Sequence, residues 1–274
     1  MKRSLLSRLQ TNGACYIAGS LILLLVIPLY QAFTLTPQGY GNALHQEGLG
    51  NFLAYLSWVN AHSILFLIYR LLLIIAFALL VTLPFTLFRI IVAQEILGQR
   101  EYEERESDED EHDSETRENE GMPAYAWRGK GFAVIAAWAG IAGIALYLAG
   151  TIASTIYVIS VSQSVTVSPV LPTSYAAFSN FFSLLAQTAG TGLLALSTLF
   201  FGAMIARSGR NLWPGMWVAF GYLALAVAAL LSGSAVGVAS APAEGQAPLT
   251  SPAVLLFALW VLWLGVMLVR LRAE

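Results

Sequence analysis

Six stretches of the chain, residues 13–35, 71–88, 132–160, 178–206, 213–238 and 253–269, contain no Asp, Glu, Lys or His. A helix rising about 1.5 Å per residue needs roughly 20 apolar residues to cross about 30 Å of hydrocarbon. Each stretch meets that length within tolerance. The expected fold is therefore all-α, a polytopic integral membrane bundle of six transmembrane helices in contact with the lipid bilayer. Composition agrees, with 57% of the 274 residues apolar and only 11% charged, against about a quarter charged in a soluble domain. An ordinary soluble enzyme, a nucleic-acid binder and a disordered chain are excluded.

Charge placement orients the bundle. With the N-terminus inside, 13 of the 14 Lys and Arg residues fall in cytoplasmic pieces, and Arg70 alone lies on the other side. Membrane proteins concentrate Lys and Arg in cytoplasmic loops, whatever the acids nearby. Both termini are thus expected in the cytoplasm, and the protein in the cell (plasma) membrane. Lys2, Arg3 and Arg8 imitate the start of a signal peptide. The apolar run behind them is too long for one, and no small-residue cleavage site follows it near 31–36, so a retained span is expected.

Of the 16 acids, 12 lie between Glu101 and Glu120, where Arg105 and Arg117 leave a net charge of −10. Like charges at that density repel and cannot bury a core. Residues 99–130 are expected to be a disordered acidic loop between helices 2 and 3, simply solvated, with docking of a basic protein partner as the alternative. The glycine and terminal glutamate of a calcium loop are missing. The chain so divides into 1–98 (helices 1 and 2 with an external loop at 36–63), the acidic loop 99–130, and 131–274 (helices 3 to 6).

The external connections are polar but nearly uncharged. Residues 36–63 carry His45, Glu47 and His62, 161–175 alternate Ser, Thr and Val, and 239–251 are rich in Ala, Pro and Gly. Residues 51–69 are also fairly apolar, yet Arg70 alone separates them from the second stretch, too little for a chain reversal. One helix is expected to start near Phe52 or His62 and run to Leu97. Pro84 inside it lacks a backbone N–H and should kink it modestly.

Ala136/Gly140, Ala139/Gly143 and Gly150/Ser154 in the third helix have the spacing that lets two helix backbones approach closely. The fourth adds Ala186/Gly190, Gly192 and Gly202. Packing within the bundle is the first expectation, and a homo-oligomer built through these small-residue helices is the sharper alternative. Trp127, Trp138, Trp213 and Trp217 fall near inner boundaries, as aromatic anchors do. Trp260 and Trp263 lie deeper and read as core or lipid-facing bulk.

Several chemistries lack their residues. The only lysines are Lys2 and Lys130, so no span offers a Schiff base. His45, His62 and His112 cannot ligate a haem across the bundle. No Gly-x-Ser-Gly occurs in the fourth helix, and Ser232-Gly233-Ser234 has no histidine after it to act as base. One cysteine, Cys15, and no His-Glu-x-x-His leave zinc without a ligand set. No catalytic residue, metal or cofactor is expected. Proton-coupled transport normally uses intramembrane carboxylates or histidines, and the spans have none.

Arg70 is the one ionisable residue placed to enter the membrane, which by itself raises a functional question. Eighteen uncharged residues separate it from Arg89, about 27–29 Å of helix. That spacing suits two interfacial anchors with Arg70 snorkelling outward; contact with a ligand is the alternative. Its available partners are Glu47, Glu244, carbonyls and lipid phosphate. Gln187 is the most polar side chain inside the bundle and is expected to hydrogen-bond a neighbouring helix. A substrate path, if present, is expected at Gln187, Thr188 and Thr191, with Arg70.

Two functions fit this pattern. The first is an accessory, scaffold or self-associating membrane subunit without catalysis. The second is a transport component, either a facilitator or the permease half of a two-component exporter. The two halves show no convincing inverted repeat.

Overall fold

The computed structural model describes residues 3–48, 50–94, 125–167, 170–240 and 250–271. Most of the acidic segment lies outside these residues, as do Glu244 and the connection 241–249, and the side chains of Trp127 and Lys130. The described residues are helical and contain no strand. Six helices are long and apolar enough to cross a membrane, so the protein is a membrane-embedded helical bundle.

The spans are α1 (Ser7–Leu35), α4 (Ser63–Gln94), α5 (Tyr125–Val167), α6 (Tyr175–Ser208), α7 (Gly215–Ser240) and α8 (Thr250–Val269). Large apolar side chains face outward along them. Phe33 is 77% exposed, Ile64 72% and Val236 68%, which is tolerable only where lipid covers them.

Residues 36–63 are not the loop expected from their polarity. They form two short helices, α2 (Tyr40–Gly48) and α3 (Phe52–Ala61). Gly39 at φ 83° and Gly50 at φ 82° supply the left-handed turns before α2 and between the pair. The Asn51 side chain caps α3 by accepting from the Ala54 N–H at 3.4 Å. Trp58 Nε1 donates to the Gln38 carbonyl at 2.6 Å, and the Trp58 ring lies 4.9 Å from Tyr40. The short helices are thereby folded together, and α3 packs onto α5.

The helix carrying Arg70 starts at Ser63, after a break in which His62 leaves helical geometry at φ −122°, ψ 34°. Pro84 does more than kink it. Residues 80–82 form a turn in which the Leu83 N–H takes the Leu80 carbonyl at 2.9 Å, the carbonyl that Pro84 cannot serve. The Ser, Thr and Val residues at 161–167 are also helical rather than loop, because α5 continues through Val167.

Small residues set the packing. In lipid, helices associate through close contact rather than through hydrophobic expulsion. A Cβ on Gly143 would lie 2.8 Å from the Gly190 carbonyl, one on Gly150 2.8 Å from the Ala186 Cβ, and one on Gly202 2.8 Å from the Ala224 Cβ. A Cβ on Gly140 would meet Pro84 and Ser197 at 2.6 Å. Gly13 and Gly265 bring α1 against α8 in the same way. Of the small residues noted in the sequence, Gly140, Gly143, Gly150, Gly190 and Gly202 are packed against other helices of the same chain. Trp260 is fully buried, stacked on Phe220 at 4.9 Å with its Nε1 donating to the Phe220 carbonyl at 3.3 Å; it is core bulk.

Candidate functional site

α1 does not run as a regular helix. Pro28 sits between two π-helical turns, Ile22–Val26 and Gln31–Leu35, and a third π-helical segment, Leu184–Gly190, interrupts α6. Such turns carry an extra residue and commonly occur at functional positions. Here Leu23, Gln31 and Gln187, one from each segment, border the same internal cavity of about 200 Å³. Its other walls come from α2, α3, α4, α5 and the start of α8.

Arg70 lies about 10 Å along α4 from its first residue, and Gln187 about 18 Å along α6 from Tyr175, at about 1.5 Å per residue. The cavity therefore begins beneath α2 and α3 and reaches toward the middle of the bundle. Arg70 does not snorkel outward. It borders the cavity, its Nε is sealed from solvent, and that atom has no hydrogen-bond partner. Its guanidinium lies 5.1 Å from the Phe66 ring, a favourable cation–π approach. Tyr40, Tyr55, Tyr69 and Tyr147 surround it. Gln31 Nε2 donates to the Tyr69 hydroxyl at 2.8 Å, which leaves the Tyr69 O–H hydrogen for another acceptor. Tyr147 is held in place by stacking on Phe77 at 4.0 Å.

The Oε1 of Gln187 is buried without a partner. Thr188 bonds the neighbouring helix, its hydroxyl donating to the Ala235 carbonyl at 3.3 Å. Thr188 is absent from the cavity wall, whereas Thr191 borders it and donates to the backbone carbonyl of Gln187. Arg70, Gln187 and Thr191 are thus brought to one cavity, and Thr188 is turned to α7. Ser183 on the same wall also has a buried hydroxyl without a partner. No protein-family model, curated protein or solved structure matches this chain. Its chemistry is read from the cavity alone.

Glu47 of α2 completes the wall. Burial pushes its carboxyl up to about 7, against the pull of the Arg70 guanidinium, which acts to lower it. Burial also raises Tyr40 and Tyr55, so both stay neutral and able to donate. From the described residues the cavity accordingly holds one permanent cation, several hydroxyl and amide groups, and one acid pushed up to about 7. Among the described residues no group of three or more His, Cys, Asp or Glu converges as a metal site would require.

The sequence reading did not find the tyrosines, Ser183 or Gln31. Gln31 was accessible as a polar side chain within an otherwise apolar span. The tyrosines carried no such mark, because a tyrosine in a membrane protein is as readily an interfacial anchor.

Proposed function

We propose that this chain is a multi-pass membrane protein without catalysis that holds a small polar solute inside its bundle, a transport component of the facilitator or permease type. The observation that carries this reading is Arg70, a charged side chain placed within a span, bordering a cavity and lacking a partner at Nε. Intramembrane charge is costly and marks solute or ion paths. Among the described residues neither histidine nor cysteine borders the cavity. An accessory or scaffold subunit is the second function suggested by the sequence. It loses part of its motive because the small-residue stripes that suggested self-association are used between helices of the same chain.

In the proposed setting the protein lies in the cell membrane with both termini in the cytoplasm, following the bias of its basic residues. The end of the cavity beneath α2 and α3 then lies toward the outer side. The acidic segment 99–130 lies in the cytoplasm, simply solvated, with docking of a basic protein as the alternative.

Thermal unfolding of the purified full chain tests the solute reading against a panel of anionic, cationic and neutral small molecules. Stabilisation by at least one class, reduced by Gln187→Leu, is the expected result. No response to any class, with a stoichiometric membrane partner recovered from mild detergent, would transfer the protein to the accessory role.

A further inference from the structure

We propose that the cavity is a proton-linked site for a small carboxylate, anchored by Arg70, with Glu47 taking up one proton as the anion binds. This rests on the solute-binding reading above and names the class of solute.

The cavity wall is rich in donors around a single cation. A planar guanidinium can pair two parallel N–H groups with a carboxylate. The Tyr69 hydroxyl accepts from Gln31 and so keeps its own hydrogen to donate, and the Ser183 hydroxyl, buried on the α6 wall, has no partner in the described chain. A cationic solute would be repelled by Arg70, and with Glu47 protonated a neutral one would leave the guanidinium without a counter-charge. About 200 Å³ equals roughly seven waters at about 30 Å³ each, which admits a small organic acid. Phe52 and Phe182 line the wall for its apolar part.

Among the described residues Glu47 is the only acid on that wall. The titratable groups that interact with it are Tyr40 from its own helix, Tyr55 from α3, Arg70 from α4 and Tyr175 from α6. Arg70 is the only cation among them. A bound carboxylate and an ionised Glu47 would therefore compete for one guanidinium in a low-dielectric cavity, where like charges are strongly coupled. Binding of the anion favours the neutral acid. The proton comes from solvent and no covalent bond changes. Glu47 titrates near neutrality, so this competition falls in the working range of a cell.

The test is calorimetric titration of the purified full chain, in detergent without added lipid, with sodium benzoate between about pH 5.5 and 8.5. The expected Kd is level below about pH 7 and rises by up to about tenfold per pH unit above it, as linkage to one proton requires. Glu47→Gln should bind benzoate with a flat profile. Arg70→Lys, which keeps the charge but loses the planar fork, should weaken binding about tenfold or more. If that variant does not fold, the Glu47→Gln profile decides alone. A flat wild-type profile would overturn the proton link. Binding of urea or choline in place of benzoate would overturn the carboxylate while leaving a solute-binding protein. Stabilisation by phosphatidylglycerol but not by benzoate would assign the cavity to a lipid headgroup and overturn the proposal. Failure of all probes would remove the solute reading as well.

Discussion

The Gln31 amide donates to the Tyr69 hydroxyl at 2.8 Å, so α1 and α4 share a polar link at the cavity wall, beside Arg70. Interhelical hydrogen bonds in membranes contribute about 0.6 kcal/mol on average and about 1.7 at most. Tyr69→Phe should lose stability within that range and also weaken benzoate binding severalfold, because it deletes a donor. Gln31→Leu should lose similar stability with a smaller effect on binding. Unfolding in SDS, paired with calorimetry, separates the two. Equal loss of binding in both variants would mean that Tyr69 does not donate to the ligand.

Helix approach through glycine predicts a contrast within α5 and α6. Gly143→Ala places a methyl 2.8 Å from the Gly190 carbonyl and 2.9 Å from the Leu194 nitrogen. Backbone cannot rotate aside, so the helices must separate, at about 1–3 kcal/mol for an overpacked site. A Cβ on Gly192 has its nearest neighbour, the Ala235 Cβ, at 3.9 Å. Gly192→Ala should stay within about 0.5 kcal/mol of the parent, measured by the same unfolding assay.

A second polar cluster joins α1 to α4 away from the cavity. The Tyr16 hydroxyl lies 2.9 Å from the Thr82 and 2.7 Å from the Thr86 hydroxyl, and Asn12 Nδ2 donates to Thr86 at 3.1 Å. Thr86→Val should destabilise more than Tyr16→Phe. It removes the partner of the Asn12 amide and leaves the Tyr16 hydroxyl with Thr82 alone, and a buried polar group left unpaired costs about 1–3 kcal/mol. The opposite order in SDS unfolding would show that the cluster does not act through Thr86.

Glu47 makes stability depend on pH even without a solute. Its carboxyl is raised from 4.5 to about 7 in the folded protein, so the folded state binds the proton more tightly than the unfolded chain. Stability should fall as pH rises from about 4.5 to about 7 and then level off. Glu47→Gln should remove that slope. A wild-type midpoint in denaturant that stays constant across this window would contradict the burial of Glu47.

Cysteine labelling tests the orientation of the bundle. With Cys15 replaced by serine, Ser63→Cys and Ser114→Cys should react with a membrane-impermeant maleimide from opposite faces of sealed vesicles, Ser63→Cys from outside. Labelling of both from one face would overturn the orientation inferred from the basic residues.

Much of the bundle was legible because lipid imposes a length and a composition on anything that crosses it. The first helix, expected at 13–35, spans Ser7–Leu35, and the fifth, expected at 213–238, spans Gly215–Ser240. Connections were read less well. Residues 36–63 look like a loop by polarity, yet Gly39, Gly50 and the Asn51 cap fold them into two helices that cover the cavity. Residues 161–167 alternate small polar and β-branched types, and they extend α5 because it continues beyond its apolar core.

The sequence by itself determined six spans and the segregation of charge, since both follow from the cost of placing polar groups in hydrocarbon. It also marked Arg70, Gln187, Thr188 and Thr191 as the polar exceptions. Only the tertiary structure decided where they point. Arg70 was free to snorkel outward or turn in, and helical spacing is the same for both. The choice depends on the tyrosines, Glu47 and Gln31 that other helices bring to it, and on the π-helical turns that shift the registers of α1 and α6. Those are long-range relations, and no local pattern along the chain contains them.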